Sequence, residues 1–338
     1  MHSLRNILVI SDLHISEKPE WRYKELEKFV AGFEDMLNAD KCFIHNVIFL
    51  GDMFEISNRN DNRSLDLFGE MIRVLEYCDK SESYWICGQH DMFNNKPCLS
   101  FLEDKIHILY DEAEILFADK YVGIPYMRDI EKYRRCLEQY KGENKVLFTH
   151  MPTSDFIPAK VGKEYISISD FSDYKYVISG DLHRQEVRDN FYYNGCLFPR
   201  DFRDEIDKTA IQGGVLVYRM DDNSDYMDRD VYSALKEYKM LTIRNEQQIN
   251  DLDMNTRYCI RLVGNELMDR VEYLKTLPNV IDVVWKAQEI SHQEFAEASN
   301  VNSSNPNELI KDYVDQFNFA DNDMYIKQGE KYIEIKKD

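Results

Sequence analysis

The sequence Ile7-Leu8-Val9-Ile10-Ser11-Asp12-Leu13-His14 is an apolar run of strand length that stops at an Asp-x-His pair. Residues two apart on an extended chain project to the same side. The carboxyl ends of buried parallel strands are where α/β proteins bind their ligands. We therefore expect the Asp12 carboxylate and the His14 imidazole to converge on one point, as two metal ligands would.

Four more apolar runs end in residues that can bind a metal. They lead into Gly51-Asp52, Gly88-Gln89-His90-Asp91, Thr149-His150 and Ser179-Gly180-Asp181-Leu182-His183. A single histidine at a strand end is more often a structural residue than a ligand, but that interpretation would have to hold independently at each strand end. Taken together, the strand ends predict one shared metal site.

The segments between these strands have helical spacing. Apolar residues recur every three or four positions over residues 23–37 and 65–77, and a charged helix is predicted over residues 129–140. Alternation of strands and helices is typical of an α/β fold with a sheet that helices cover.

The order of the motifs resembles that of the calcineurin-like metallophosphoesterases, namely Asp-x-His, Gly-Asp, Gly-Asn-His-Asp/Glu, a lone His and Gly-His-x-His. The resemblance extends over about residues 5–219 and implies a four-layer α/β/β/α sandwich. Within that superfamily, Asn194-Gly195-Cys196-Leu197, Phe202-Arg203-Asp204-Glu205 and residues 213–217 are similar to the double-strand-break repair nucleases. That branch includes the SbcD-type subunits and the bacteriophage recombination exonuclease subunits.

The resemblance implies two divalent metal ions. The implied ligands are Asp12, His14, Asp52, Gln89, His150, Asp181 and His183. Asp52 would bridge the two ions, while Gln89 stands where the family has Asn and Asp181 stands where it has His. Oxygen-rich ligand sets suit manganese or magnesium better than zinc. We expect manganese, with magnesium as the alternative.

The resemblance also implies the catalytic residues. His90 would protonate the departing oxygen or stabilise the transition state, and Asp91 would orient its ring.

A change of composition predicts the domain organisation. The acidic segment at residues 221–225 interrupts the hydrophobic pattern, so we predict a nuclease domain at 1–220 and a small α+β capping domain at 236–296. By resemblance, the capping domain guides DNA to the metals. A C-terminal helix and tail are predicted at 305–338, and the apolar stripe of this helix would either pack on the chain itself or dock on a partner.

Composition limits the functional classes. No apolar run reaches the roughly 18 residues of a membrane span, and the first residues lack a secretory pattern. The seven cysteines are scattered and never form C-x-x-C, which is typical of reduced thiols in a cytoplasmic protein.

The net charge of −20 opposes binding of duplex DNA by this chain alone. The resemblance implies an SbcC-like ATPase partner that contributes DNA-binding surface, with the nuclease as a homodimer in a heterotetramer. We therefore predict a metal-dependent DNA exonuclease or endonuclease. A small-molecule or cyclic-nucleotide phosphodiesterase and a scaffold subunit without catalysis remain as alternatives.

Overall fold

The computed structural model describes residues 4–17, 20–38, 44–55, 62–78, 82–94, 96–156, 165–197, 215–221, 227–232 and 238–286. The similarity at residues 202–205, the boundary segment beyond residue 221 and the C-terminal helix and tail at 305–338 lie outside the described residues.

The described helices are α1 (Glu20–Ala31), α2 (Phe33–Leu37), α3 (Asn62–Tyr77), α4 (Ile130–Tyr140), α5 (Glu246–Asn250) and α6 (Arg270–Lys275). The described strands are β1 (Leu4–Ile10), β2 (Asn46–Leu50), β3 (Tyr84–Ile86), β4 (Met92–Phe93), β5 (Lys96–Pro97), β6 (His107–Leu109), β7 (Glu114–Ile115), β8 (Tyr121–Ile124), β9 (Gly142–Thr149), β10 (Tyr174–Ser179), β11 (Glu186–Arg188), β12 (Phe191–Tyr193), β13 (Val215–Asp221), β14 (Met227–Tyr232), β15 (Tyr238–Ile243), β16 (Arg257–Val263) and β17 (Val280–Lys286).

Two six-stranded sheets carry the fold. The first has the strand order β14-β13-β1-β2-β3-β6, and the second has the order β11-β12-β10-β9-β8-β7. Strands β1, β2, β3 and β6 pair in parallel, as do β8, β9 and β10. Each sheet therefore gathers the carboxyl ends of several strands at one edge.

Alternation of side chains along the strands produces the layers. Ile7 and Val9 of β1 lie in the core shared by the two sheets, while Leu8 and Ile10 pack in the core of helices α1, α2 and α3. In the second sheet, Phe148 of β9 faces the shared core and Leu147 faces the core that includes α4. The predicted four-layer α/β/β/α fold is confirmed.

The predicted helix at 23–37 is divided in two. α1 ends at Ala31 and α2 begins at Phe33, with Gly32 between them. Glycine has a high entropic cost inside a helix, which favours an interruption there. α4 begins where predicted, because the Asp129 carboxylate accepts a hydrogen bond of 3.0 Å from the Lys132 backbone N–H.

The first sheet extends past the predicted end of the nuclease domain at residue 220. β14 pairs antiparallel with β13, with Met220 opposite Met227 and Val215 opposite Tyr232. The strands on either side of the acidic segment that suggested a boundary therefore belong to one sheet.

A third sheet, here called the accessory sheet, consists of β15, β16 and β17 in that order. Tyr258 and Ile260 of β16 lie in a core that also holds Leu274 of α6. Cys259, on the other face, lies in the core that contains the apolar residues of α1. The Arg257 guanidinium donates a hydrogen bond of 2.8 Å to the Glu25 carboxylate of α1. The accessory sheet is therefore joined to α1 by both an apolar and an ionic contact.

The chain divides into two compact units. The first runs to Leu262 and continues over Leu267–Trp285, and the second contains Val263–Glu266 and the residues from Lys286 onward. All residues discussed below belong to the first unit. In the described part of the chain, no helix is both long enough and apolar enough to cross a membrane.

Candidate metal centre

The loops that follow the strands of both sheets are aligned by backbone hydrogen bonds. The Asp12 N–H donates to the Gly51 carbonyl over 3.0 Å, and the His14 N–H donates to the Asp52 carbonyl over 2.9 Å. In the second sheet, the Gly180 N–H donates to the Thr149 carbonyl over 3.1 Å. These bonds fix the turn after β1 against the turn after β2, and the turn after β10 against the end of β9.

The structure brings the predicted ligands together in two overlapping groups. In each group the candidate ligand atoms lie within 4.8 Å of one another: the first is Asp12, His14 and His183, and the second is Asp12, Asp52 and His150. The His150 Nε2 atom lies 3.5 Å from a carboxylate oxygen of Asp52 and 4.0 Å from one of Asp12. The His14 and His183 Nε2 atoms are 3.1 Å apart.

Two buried atoms support the presence of cations here. The Asp12 Oδ2 and His150 Nε2 atoms have no hydrogen-bond partner among the described residues. Such buried polar atoms are costly unless something satisfies them. The His150 Nδ1 atom lies 2.9 Å from the Leu50 carbonyl, to which it can donate, so Nε2 is directed at the carboxylates as a ligand atom would be. The donor set fits divalent metal ions.

The two residues that depart from the family motif contact each other. The Gln89 Nε2 atom donates a hydrogen bond of 2.9 Å to a carboxylate oxygen of Asp181, and His150 Nε2 lies 4.0 Å from that same oxygen. The Asp181 backbone N–H donates to the Asp12 carboxylate over 3.1 Å. Gln89 and Asp181 therefore form one linked pair beside the cluster.

The backbone at the centre adopts an uncommon conformation. Four of the predicted ligands have a positive φ: 52° at Asp12, 43° at His14, 51° at Asp52 and 79° at Asp181. Left-handed non-glycine residues of this kind cost about 1–3 kcal/mol each and concentrate at functional sites.

Three glycines allow the strand ends to approach each other. A Cβ atom at Gly51 or Gly180 would lie 2.1 or 2.4 Å from the His150 Nδ1 atom, and one at Gly88 would lie 2.3 Å from an Asp52 oxygen. These distances are far below contact distance, so the packing of the centre requires glycine at all three positions.

His90 lies at the open side of the cluster. Its Nδ1 atom is 2.5 Å from the Glu55 carbonyl oxygen, and its Nε2 atom is 3.9 Å from an Asp52 oxygen. With Nδ1–H donating to the carbonyl, Nε2 points toward the centre, where it can hold a transferable proton.

Asp91 does not orient the His90 ring, contrary to the prediction. Its Oδ1 atom accepts from the Met53 N–H at 2.8 Å, and its Oδ2 atom accepts from the Gly88 N–H at 2.9 Å and the Trp85 indole at 3.2 Å. Asp91 is fully buried, and its carboxylate joins the turns after β2 and β3. The prediction rested on adjacency in sequence, but adjacent residues here point in different directions.

The family follows from a sequence comparison. A family model described as calcineurin-like phosphoesterase matches residues 5–185, just over half of the 338 residues. The chain belongs to this family. The matched region of this phosphoesterase contains all seven predicted ligands and both predicted catalytic residues. No curated protein matches the chain.

Solved structures similar to this phosphoesterase include a dimetal phosphatase from Danio rerio. It is 12% identical, and the match covers 68% of this chain and 99% of that one with a TM-score of 0.37. A predicted phosphoesterase from Streptococcus pneumoniae is 13% identical over 70% of this chain and 97% of that one, with a TM-score of 0.32.

Glu55 is a further residue of the phosphoesterase site that the sequence analysis missed. Its carboxylate lies 3.3 Å from the His14 Nδ1 atom, and its carbonyl faces His90. A carboxylate behind a metal-binding histidine fixes the ring and raises its basicity. Glu55 could have been recognised as a candidate site residue from its position three residues after Asp52, in Gly51-Asp52-Met53-Phe54-Glu55.

Arg22 of α1 is the second missed residue. It is almost fully buried, and its guanidinium donates to the carbonyls of Leu13 and His14. Arg22 therefore holds the loop that carries two of the predicted ligands. Nothing in the sequence indicated that Arg22 is buried at the site, because no carboxylate partner was predicted for it.

Burial and mutual charge set the pKa values in the metal-free centre. Burial raises the pKa of Asp12 to about 6 and lowers that of His14 to about 4. Burial alone would raise the pKa of Asp52 and lower that of His150, but their mutual attraction outweighs it and shifts both in the opposite direction. A metal ion would therefore compete with protons at Asp12 and His150.

Proposed function

We propose that this phosphoesterase is a manganese-dependent DNA nuclease, the nuclease subunit of an SbcCD-like complex in DNA end processing, recombination or repair. Family membership supports phosphoester hydrolysis, and the similarity at Asn194-Gly195-Cys196-Leu197 supports the nuclease branch. Among the phosphoesters that such an enzyme can hydrolyse, we propose that the substrate is a polymeric phosphodiester.

The accessory sheet is the observation that carries the proposal. It is anchored through Arg257 and Cys259 on α1, the same helix whose Arg22 holds the loop of His14. A module anchored on the helix that holds the loop of His14 is suited to guiding a long substrate, and a small phosphoester does not require one.

The chain's own residues would bind two divalent ions as the family motif implies. Asp12, His14, Asp52 and His183 would hold one, and Asp52, Gln89, His150 and Asp181 would hold the other. The chemistry that such ions supply is activation of a water molecule and neutralisation of phosphoryl charge. The carboxylate and amide oxygens of Asp181 and Gln89 favour manganese or magnesium over zinc.

His90 would supply the proton for the departing oxygen. Its Nδ1–H is committed to the Glu55 carbonyl, so Nε2 is the nitrogen available to the substrate. The imidazole is about a third exposed, with a side-chain accessibility of 29%, and an incoming strand can reach it. Protonation of the leaving group by a positioned imidazole contributes about 10²–10⁴-fold to a rate.

The net charge of −20 supports action together with a partner. A strongly acidic chain repels nucleic acid, and an SbcC-like ATPase would contribute the basic surface. We propose the assembly predicted from sequence, with two nuclease subunits in a heterotetramer.

The same net charge favours a second candidate, a small-molecule phosphodiesterase, because a small substrate needs no basic surface. The metal centre would serve that reaction equally well. The two candidates differ in the length of the substrate and in the use of the accessory sheet.

Cleavage of linear duplex DNA, compared with hydrolysis of an aryl phosphodiester, tests the proposal. Both would be measured with manganese, with and without a co-purified ATPase. We expect cleavage of DNA, stimulated by the ATPase. Hydrolysis of the aryl substrate with DNA left intact would establish the second candidate, and inactivity on both would leave a scaffold subunit.

A further inference from the structure

Tyr126 and Arg128 emerge beside the metal centre, although no motif includes them. They follow β8, which pairs in parallel with β9 so that Ile124 is opposite Thr149. His150 and Tyr126 therefore leave the sheet at the same edge. The Tyr126 N–H also donates to the Cys87 carbonyl over 2.9 Å, which places Tyr126 next to the turn that begins at Gly88.

The segment that carries these two residues is fixed at several points. Met127 is buried in the core that includes α4, and the Tyr126 ring packs partly against the same core. Asp129 caps α4 through its hydrogen bond to Lys132. A segment held in this way presents its side chains without a large ordering cost.

Charges of the centre and of Arg128 both act on the Tyr126 phenol. Burial raises the pKa of Tyr126, the charge of Arg128 lowers it, and the carboxylates of Asp181 and Asp52 raise it. The phenol is thus close enough to be influenced by all three groups. It remains protonated at neutral pH and can donate a hydrogen bond.

Arg128 is exposed, and it follows Tyr126 by two residues in the segment that leaves the sheet beside the centre. Within the described ranges, its guanidinium has no ion pair, whereas Arg63 and Arg134 are each paired with glutamates. In particular, no ion pair joins it to Asp52 or Asp181 of the described cluster. Arg128 is therefore not one of the side chains that contact each other in the centre, and its N–H donors are available to a ligand.

We propose that Tyr126 and Arg128 form a phosphate-binding subsite for the substrate phosphate next to the one that is cleaved. The inference rests on the proposed function, because only a substrate with consecutive phosphodiesters has such a neighbour. A guanidinium can bind a phosphate through two parallel hydrogen bonds, and a protonated phenol adds one donor. Arg128 also supplies positive charge where the chain as a whole repels the substrate.

The test measures inhibition of aryl phosphodiester hydrolysis by a thymidine oligonucleotide of about eight nucleotides, with manganese, over a range of salt concentrations. Arg128→Gln is expected to raise the inhibition constant about tenfold and to lower its salt slope by about one phosphate contact. Tyr126→Phe is expected to give a smaller increase. Arg135→Gln, which removes an equally exposed charge within α4, is the matched control.

Each outcome decides between the two proposals. Equal inhibition constants for the Arg128 and Arg135 variants would overturn the subsite. An Arg128 effect of the same size on the KM of the aryl substrate would also overturn it, since that substrate has a single phosphate. An oligonucleotide that inhibits in an Arg128-dependent way but is never cleaved would retain the subsite and refute the nuclease. No inhibition of the wild type would refute the subsite, and cleavage of duplex DNA in the presence of the ATPase would then decide the nuclease separately.

Discussion

Two residues beside the candidate centre, Gln89 and Asp181, both depart from the family motif. Glutamine extends its amide one methylene further than asparagine, and aspartate is shorter than histidine. Their direct hydrogen bond suggests that the longer side chain compensates for the shorter one. We therefore expect the pair to act as a unit at the proposed second metal position.

Reversion of this pair to the family residues should be non-additive. Gln89→Asn and Asp181→His are each expected to weaken manganese binding about tenfold, and the double variant should bind better than the sum of the two effects predicts. Equilibrium dialysis of chelator-stripped protein measures the affinity. Gln247→Asn is the control, because Gln247 makes an equivalent 2.9 Å bond to Asp251 on the surface. Strict additivity would contradict the pairing.

His90→Ala should abolish cleavage while metal affinity stays within about twofold, because its ring nitrogens contact a carbonyl and face the substrate side. The expected loss of kcat is about 10²–10⁴-fold. Single-turnover cleavage and manganese titration of the same preparation separate the two effects. Retention of kcat would remove His90 from the mechanism. His107→Ala, at an exposed histidine of β6, is the control.

Glu55→Gln should weaken metal binding about 10–100-fold, as loss of a carboxylate behind a histidine ligand does. The amide keeps the size of the side chain but removes the charge that lies 3.3 Å from His14. Manganese titration provides the measurement, and Glu112→Gln, at an exposed position, is the control. An unchanged affinity would show that His14 needs no support from Glu55.

The sequence located the clustered side chains because two simple rules apply to them. They follow apolar runs, and side chains alternate along strands, so Asp12 and His14 converge. It misjudged Asp91 and missed Glu55 and Arg22, because their partners are backbone groups or side chains that no sequence pattern links to them. Such contacts leave no periodic signal.

At the scale of elements, α1 links the centre to the accessory sheet. Arg22 faces the loop of His14, and Glu25, one turn later, faces Arg257. The accessory sheet is therefore connected to the centre through less than two turns of one helix. In the proposed nuclease, a DNA strand bound to the accessory sheet would be aligned with the centre in this way.

Arg257→Ala should loosen the accessory sheet without dismantling the centre. Loss of the bond to the mostly buried Glu25 is expected to cost about 2 kcal/mol of local stability. Hydrogen exchange would show faster exchange in β15, β16 and β17, with manganese affinity retained. Lys275→Ala removes an exposed ion pair of the same sheet region and should change little. Equal exchange in both variants would contradict the anchoring role.

Element types were more predictable than element ends. Apolar periodicity placed the helices at 65–77 and 129–140 within a few residues of α3 and α4. It did not reveal the break at Gly32, because the apolar pattern continues across it. It also suggested a boundary near residue 221 because that segment is acidic, although β14 pairs with β13 beyond it.

At the scale of the whole molecule, the layers of the fold were predictable from the sequence. The strongly negative net charge, in contrast, is not explained by the fold. Strand and helix alternation predicted a sheet covered by helices, since buried strands need cover on both faces, and the family resemblance implied the four-layer sandwich. The arrangement of layers does not require a net charge of −20. A net charge of this size influences association with other molecules, and binding measurements at several salt concentrations would reveal its effect.

Metal binding should strengthen as the pH rises from 5 to 7. Asp12, with a pKa raised to about 6 in the metal-free centre, is protonated at lower pH, and His150 also has a raised pKa. Protons compete with the ion below these values, so the affinity falls as the pH falls. Calorimetric titration with manganese in two buffers of different ionisation enthalpy would reveal proton release. A pH-independent affinity would contradict these shifts.

The candidate ligands come from two sheets: Asp12, His14, Asp52 and Gln89 follow strands of the first, and His150, Asp181 and His183 follow strands of the second. A chain that has folded only one sheet therefore has only part of the cluster. Acquisition of manganese during refolding should lag behind secondary structure and coincide with the association of the sheets. The ion would then be a kinetic reporter of the last step in the maturation of the enzyme.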